Sequence, residues 1–505
     1  MPMDTLVWDI VARNASPRAI GAPGRPWLDG AGLRALVDGV RAGLHGAGIG
    51  AGDRVGIVLP NGPEMATAFL TVASTCTAAP LNPAYKPDEF EFYLSDLKPR
   101  AVIVRGGDPS PVRDVAARLG VPLLELTPSE GGAGLFTLDL SPLPPATTPA
   151  ADPTPDSPAL VLHTSGTTAR PKIVPLTNAN LAASARHIAT ALALTPADVC
   201  LNVMPLFHIH GLVAAVTASL SAGAAVSCTP GFNAFKFMDW VAEVRPTWYT
   251  AVPTMHQAIL MRARGHAEQM RAAGLRFVRS SSASLPPQVM EELEGVFGAP
   301  VIEAYGMTEA THQMASNPLP PRPRKPGAVG LAAGPDIAVM DDDGSILPQG
   351  EIGEVVIRGP NVTPGYDRNP DANAKAFANG WFRTGDQGRL DPEGYLFLTG
   401  RLKEQINRGG EKVSPLEVDV VLLDHPAVAQ AITFGIPHDK LGEEVGVVVV
   451  LRDQAACTEQ ELRDFAASRL AAFKVPRRVL FMDDIPKGAT GKVQRIGLAA
   501  KLGLG

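Results

Sequence analysis

The stretch His163-Thr164-Ser165-Gly166-Thr167-Thr168-Ala169-Arg170-Pro171-Lys172 constrains the fold more than any other part of the chain. The apolar run Ala159 to Leu162 before it is too short for a helix and is preceded by prolines, which predicts a strand running into a loop. Pro171 and Pro175 keep the chain extended beyond the lysine. Helical signals resume only at Thr177 or Asn178, either of which can cap the apolar pattern Leu181, Ile188, Leu192. A loop dense in glycine and hydroxyls offers backbone N–H groups and Ser/Thr donors, and Lys172 adds one mobile positive charge. That equipment suits phosphate oxygens, although the same composition also suits a solvated turn. A Walker-type loop is excluded, because it needs G-x-x-x-x-G-K-[ST] with a helix directly after it.

The bulk of the chain narrows the surroundings of that loop. Its 505 residues allow roughly two to four domains and a large core. Hydrophobic content of 45% with 19% charged residues is that of an ordinary globular protein. A net charge of −6 and the lack of any Lys/Arg run argue against a nucleic-acid partner. Cys76, Cys200, Cys228 and Cys457 are scattered and form no C-x-x-C, so neither a disulfide framework nor a zinc site is expected. The N-terminus carries Asp4 and Asp9 without an uninterrupted apolar core, unlike a signal peptide. No run reaches the roughly 18 apolar residues of a membrane span, and Lys501 to Gly505 is not a peroxisomal address. A reducing, cytoplasmic setting without membrane attachment is the expectation.

Helix and strand signals alternate through the first third. Leu33, Leu36, Val37, Val40 and Leu44 share one helical face, and strands are expected at Val55 to Leu59 and Ala101 to Val104, an α/β layer pattern. Gly46-Ala47-Gly48-Ile49-Gly50-Ala51 formally satisfies G-x-G-x-x-A, but a dinucleotide fingerprint needs the strand before it and the helix after it. Here the order is reversed, so the glycines are expected to end the helix. Residues 141–158, rich in Pro, Ala, Thr and Asp, read as an exposed linker into the loop. Beyond residue 400 the pattern becomes α+β. Ser414-Pro415-Leu416-Glu417 and Thr458-Glu459-Gln460-Glu461 are capping boxes, the first opening a helix to about Leu423. Strands are expected near Ala429 to Phe434 and Val445 to Leu451.

Several stretches carry candidate chemistry. Met204-Pro205-Leu206-Phe207-His208-Ile209-His210-Gly211 places histidines at i and i+2, which can hold a metal from one side of a strand. No third ligand accompanies them, and a core or pocket histidine fits as well. Phe277 to Arg279 reads as a strand leading into Ser280-Ser281-Ser282-Ala283-Ser284-Leu285-Pro286. Hydroxyls there are wasted beside a fatty chain and useful beside a polar acid, unless they only face water. Glu303-Ala304-Tyr305-Gly306-Met307-Thr308-Glu309 ends in a hydroxyl for a phosphate and a carboxylate for Mg²⁺, an ion that needs few protein ligands. In Trp381-Phe382-Arg383-Thr384-Gly385-Asp386 the carboxylate can accept two neighbouring hydroxyls, or the tripeptide can be a simple turn. By charge alone, Gly400 to Lys412 is a solvated loop and Lys487 to Lys492 a basic surface turn.

As a series, Ser165-Gly166-Thr167-Thr168 with Pro171-Lys172, Pro205 to His208, Tyr305 to Glu309, Thr384 to Asp386, Gly400 to Lys403 and Lys487 to Lys492 resembles the adenylate-forming superfamily of acyl-CoA synthetases, luciferases and peptide-synthetase adenylation domains. Particularly over Arg279 to Pro318 and Gly400 to Pro415, the chain looks most similar to the oxalate-CoA ligase branch. The resemblance implies an α/β and α+β fold: a large, multi-subdomain adenylating domain over 1–402, with the 141–158 linker inside it, and a small mobile domain over 403–505. It implies ATP, Mg²⁺ and coenzyme A as cofactor and co-substrates and a small carboxylic acid as substrate. Thr164, Ser165, Gly166, Thr167, Thr168 and Lys172 would grip the triphosphate. Ala283, Glu303, Ala304 and Tyr305 would line the adenine site, Thr308 would meet the α-phosphate and Glu309 the metal. Asp386 and Arg401 would hold the ribose, Lys403 would be the hinge, and Gly409 and Gly410 would line the path of CoA. Lys492 would be the catalytic lysine. His208, Ser281, Ser282 and His312 would face the acid, where a second carboxylate must not be buried without donors. Ile173 departs from the pattern, since relatives usually have glycine there. A fatty- or aryl-acid CoA ligase, an enzyme loading a carrier protein, and a non-enzymatic binding protein are the alternatives.

Overall fold

The computed structural model describes residues 4–146, 148, 150–164, 171–487 and 493–504. Two large, mainly parallel sheets carry the N-terminal part. The first runs Phe136–Leu138, Leu123–Pro128, Ala101–Arg105, Arg54–Val58, Thr77–Pro80, Pro158–Thr164, Lys172–Thr177 in spatial order, with the five inner strands parallel. Both of its faces are covered, which is why its strands read as apolar runs without clean alternation. The expected strand before the loop is Pro158–Thr164, and Lys172–Thr177 folds back on it with Thr164 opposite Lys172, His163 opposite Ile173 and Val161 opposite Pro175. Pro175 cannot donate to a ladder and is tolerated because its strand is the sheet edge. Val161 and Ile173 pack into one apolar cluster with Val58, Val104, Phe90 and Leu94, whereas Leu162 and Val174 join the larger core on the opposite face.

The helix Asn178–Ala191 follows at once, and of the two expected caps it is Thr177 that accepts the Asn180 amide. The helix Gly30–Gly46 buries Leu33, Val37 and Leu44 and ends at the glycines as expected. Residues 150–157 of the linker are irregular, held to the body by the Ala51 amide on the Ala151 carbonyl at 2.8 Å.

The second sheet orders Leu331–Ala332, His312–Ser316, Val301–Met307, Phe277–Ser281, Trp248–Ala251, Val199–Asn202, Ala225–Cys228, Ile20–Ala22, Arg25–Leu28. Its strands from Val301–Met307 to Ile20–Ala22 are parallel. Parallel strands end together, so the segments leaving Asn202, Ser281 and Met307 gather at one carboxyl edge, the usual ligand position in such sheets. Met204 to His208 is a turn and His210–Thr217 a π-helix. His208 and His210 therefore do not lie along one side of a strand, because the chain has already left the sheet at Asn202.

A five-stranded antiparallel sheet follows, in which Trp381–Leu390 alternates and turns Phe382, Thr384 and Asp386 inward. The C-terminal part is α+β, with its own five-stranded sheet and a core of Ile406, Val413, Val418, Leu422, Val445 and Val447. Its long hairpin Val428–His438 and Gly442–Leu451 exceeds the expected strands because pairing continues to the turn. The Thr458 box forms. At Ser414 the helix Pro415–Leu423 begins where expected without the box, since the hydroxyl donates to the Thr399 carbonyl and ties the helix to the preceding sheet. Among the described residues no helix is long and apolar enough to cross a membrane.

Candidate active site

The ladder pair Thr164 and Lys172 closes the first hairpin and stands at the mouth of the loop. Ser165, Gly166, Thr167 and Thr168 lie outside the described residues. The Lys172 ammonium is 4.3 Å from the ring centroid of Tyr366, a cation–π contact. The Tyr366 hydroxyl donates to Glu309 Oε1 at 2.9 Å. One tyrosine thus touches the lysine with its face and the carboxylate with its edge. Glu309 sits in the single 3-10 turn Thr308–Ala310 after the strand Val301–Met307 and is 7% exposed. Burial pushes its pKa up, while the Tyr366 hydrogen bond and the Arg401 and Lys172 charges pull the other way. Lys172 is held below the ordinary lysine range by burial and then by the charge of Lys403, the expected hinge residue in the exposed turn Leu402–Glu404. Thr308 is half-buried beside Glu309. No group of three or more His, Cys, Asp or Glu able to hold a metal occurs among the described residues. One carboxylate and one hydroxyl form a hard oxygen set that fits Mg²⁺ when substrate phosphate oxygens complete it.

Tyr305, Asp386 and Arg401 form a second group. Asp386 and Arg401 are cross-strand partners, so the register itself places Arg401 Nε 2.9 Å from Asp386 Oδ1. The Tyr305 hydroxyl donates to the other carboxylate oxygen. The Asp386 charge raises the Arg401 pKa, and burial raises that of Tyr305. Glu303 is not part of this group. Its carboxyl accepts the Leu285 amide at 2.9 Å, and burial pushes its pKa up to about 8. Ala304 is buried in the ladder opposite Ser281 and Ser316, and Ala283 is exposed on the 282–285 turn.

At the carboxyl edge of the second sheet, Ser282 and His312 come together and Ser281 does not join them. The Ser281 hydroxyl donates to the Ala304 carbonyl at 2.7 Å, within the sheet. His208 is half-buried and its Nδ1 accepts the His210 amide at 3.2 Å. The central side chain is His210, fully buried, with Nδ1 3.0 Å from Ser282 Oγ and Nε2 2.6 Å from Thr250 Oγ1. Its ring centroid is 4.9 Å from that of His312. Behind it lies Arg279, also fully buried. Ser282 at φ +75° and His312 at φ +94° occupy the left-handed region that strains non-glycine residues, a feature that clusters at binding sites. Gly306 permits the approach of the two strands, since a Cβ there would lie 1.7 Å from the His312 carbonyl oxygen.

In the C-terminal part, Ile406–Arg408 and Glu411–Val413 are joined by Gly409 at φ +63° and Gly410 at φ +95°, a two-residue hairpin turn that needs both torsions positive. The pair is exposed at its tip. Lys492 lies outside the described residues. Just beyond it, Arg495 joins Asp419 at 2.7 Å and Glu404 of the turn Leu402–Glu404 at 3.4 Å.

Residues 11–367 match the family model of the AMP-binding enzymes, and 417–492 match that of the AMP-binding enzyme C-terminal domain. The chain belongs to the AMP-binding enzyme family. An oxalate-CoA ligase of Arabidopsis thaliana is 46% identical over 505 residues, covering 98% of each chain. An oxalate-CoA ligase of Saccharomyces cerevisiae is 42% identical over 469 residues, covering 88% of this chain and 86% of its own. The crystal structure of ATP-bound MatB from Rhodopseudomonas palustris has a TM-score of 0.89 at 31% identity, with 99% of both chains covered.

In this AMP-binding enzyme, sequence reasoning named His210 only as half of a histidine pair and missed Thr250, Arg279 and Tyr366. Arg279 had a signal, a charge inside an apolar strand, and His210 had one in its spacing from His208. Nothing local marks Thr250 or Tyr366, whose roles come from what the fold sets beside them.

Proposed function

We propose that this AMP-binding enzyme converts oxalate, ATP and CoA to oxalyl-CoA, AMP and pyrophosphate. The observation that carries the choice of acid is the polar cluster at the carboxyl edge of the second sheet, where Ser282 and His312 both meet His210 in front of a buried arginine. An alkyl tail in front of them would leave the buried Arg279 charge uncompensated, whereas a small dianion would offset it. Similarity to two oxalate-CoA ligases over most of the chain supports the same acid.

In the first half-reaction, Thr164 to Thr168 and Lys172 bind the phosphates and Tyr305, Asp386 and Arg401 the nucleoside, with Ala283, Glu303 and Ala304 shaping the turn beside it. Thr308 contacts the α-phosphate. Glu309 would hold Mg²⁺, which bound there neutralises charge on the phosphates. A carboxylate oxygen of the acid attacks the α-phosphorus, the bond to pyrophosphate breaks, and Lys492 stabilises the developing negative charge. In the second, a small domain beginning at 403 turns about Lys403, withdrawing Lys492 and presenting Gly409 and Gly410. The CoA sulfur then attacks the acyl carbon and AMP leaves. His208, Ser281, Ser282 and His312 remain the proposed acid-facing set, with Ser281 acting through the backbone it holds. We place the reaction in the cytoplasm with small molecules as partners.

The test is a panel of acids with ATP and CoA, read as AMP formation and thioester product. Oxalate is expected to be used best; clear preference for octanoate or coumarate would refute the assignment.

A further inference from the structure

Arg279 is 0% exposed in the strand Phe277–Ser281, and among the described residues no carboxylate lies within ion-pairing distance of it. A buried charge without a counter-ion is expensive, and here burial pulls the guanidinium pKa down to about 9. Its side-chain hydrogen bonds among the described residues run to Thr250 Oγ1 at 3.3 Å, His210 Nε2 at 3.4 Å and Gln313 Oε1 at 3.3 Å, none of them a carboxylate. Its Nε has no hydrogen-bond partner.

A guanidinium can only donate, and that fixes the direction of everything in front of it. Arg279 Nη1 lies 3.4 Å from His210 Nε2 as well as 3.3 Å from Thr250 Oγ1, so Nε2 must be unprotonated, and the Thr250 hydroxyl is then the donor in its 2.6 Å contact with that nitrogen. With Nε2 an acceptor, the ring hydrogen sits on Nδ1 and is donated to Ser282 Oγ at 3.0 Å. Ser282 therefore accepts from behind and turns its hydroxyl hydrogen outward. Its left-handed backbone, φ +75°, is what brings the hydroxyl to His210.

We propose that Arg279, acting through Thr250 and His210, is a positioning residue that sets Ser282 as a donor to the distal carboxylate of a diacid. The inference rests on the small-diacid reading of this pocket and deepens it. The uncompensated arginine biases the cluster toward an anionic end group, so the second carboxylate of the substrate is the counter-ion that the described residues do not supply.

The test uses the full chain and ATP–pyrophosphate exchange driven by oxalate. Thr250→Val keeps the side-chain shape and the buried charge but breaks the relay. KM for oxalate is expected to rise about tenfold, the loss of one hydrogen bond to a charged group, with KM for ATP unchanged. Thr250→Ser restores the hydroxyl and should restore the wild-type KM. In a Ser282→Ala background, Thr250→Val should add nothing, because both act on the same donor. Arg279→Met should shift KM for oxalate in the same direction; if it fails to fold, the Thr250 pair still decides. A wild-type KM for oxalate in Thr250→Val, full additivity with Ser282→Ala, or an equal rise in KM for ATP would each overturn the relay. A wild-type chain that shows exchange with other acids but none with oxalate, malonate or another small diacid would overturn the substrate reading and the relay together. Exchange with oxalate and a silent Thr250→Val would overturn the relay alone.

Discussion

Ile173, which departs from the expected family pattern, offers a test of whether it acts on the proposed phosphate loop or on the sheet beneath it. Its side chain is 4% exposed and packs with Val161, Val58, Val104 and Phe90, so the residue fills the core of the first sheet. Ile173→Val removes one buried methylene and should cost about 0.5–1.5 kcal/mol. Ile173→Gly removes the whole side chain, about 3–5 kcal/mol, and adds about 0.5–1 kcal/mol for glycine in a strand. The Asp367 amide on the Ile173 carbonyl at 3.0 Å is backbone and survives in both variants.

Ile173→Val is therefore expected to melt about 2–4 °C lower and to keep KM for ATP within about twofold in ATP–pyrophosphate exchange. Ile173→Gly should melt more than about 10 °C lower and lose exchange in step with its folded fraction. A chain of this size unfolds in more than one transition, so the first transition is the one to compare. An Ile173→Val variant with wild-type melting and a KM for ATP changed more than about fivefold, well over 0.5 kcal/mol, would show that the residue acts on the loop and refute the packing account.

Three further perturbations follow from the site. Tyr366→Phe keeps the ring over Lys172 and removes the hydrogen bond to buried Glu309; KM for MgATP should rise about tenfold in ATP–pyrophosphate exchange, and a wild-type KM would show that the hydroxyl does not position the carboxylate. Asp386→Asn takes the charge from Arg401 and should weaken ATP binding about 10–100-fold by calorimetry, the worth of a charged hydrogen bond; unchanged affinity would remove Asp386 from the nucleoside site. Glu303, with its pKa raised from 4.5 to about 8, keeps its proton in the folded chain where the unfolded chain has released it. The folded state then binds more protons between those values, so wild-type stability falls as pH rises through that window and levels above it. Glu303→Gln still offers an acceptor to the Leu285 amide and does not titrate. Its stability relative to wild type should grow by up to ~1.4 kcal/mol per pH unit across the window, and parallel melting profiles would contradict the assignment.

Much of this arrangement was legible before any coordinates, and the limits are physical. The strand into the loop, the extended exit past Lys172 and the Thr177 start were set by prolines and a cap, which act locally. The Asp386–Arg401 pair was legible only as two separate motifs, because a cross-strand register is not local. Ser281 and Ser282 were indistinguishable as letters in a serine run; one points into the ladder and the other into the pocket because the backbone turns left-handed at Ser282. The Ser414 box failed because the Thr399 carbonyl, 15 residues away, competed for the hydroxyl. The N-terminal strand Ile20–Ala22 beside Ala225–Cys228 had no signal at all, since pairing across two hundred residues leaves no periodicity to find.

The same non-locality explains how the proposed phosphate end of the site is held. Lys172 comes from the edge of the first sheet and Glu309 from the turn that follows a strand of the second. Tyr366 bridges them, and its own position is set by its neighbour Asp367, whose amide reaches the Ile173 carbonyl and whose carboxylate meets Arg54 of the first sheet at 2.7 Å. Adjacent residues on one strand, Lys172 and Ile173, thus engage adjacent residues on the other segment, Tyr366 and Asp367. Tyr366 is anchored to the first sheet by its backbone neighbour and reports to the second through its hydroxyl. The distance between lysine and carboxylate is consequently a property of how the two sheets dock, and a substitution deep in either core can reach the proposed triphosphate site without touching a ligand.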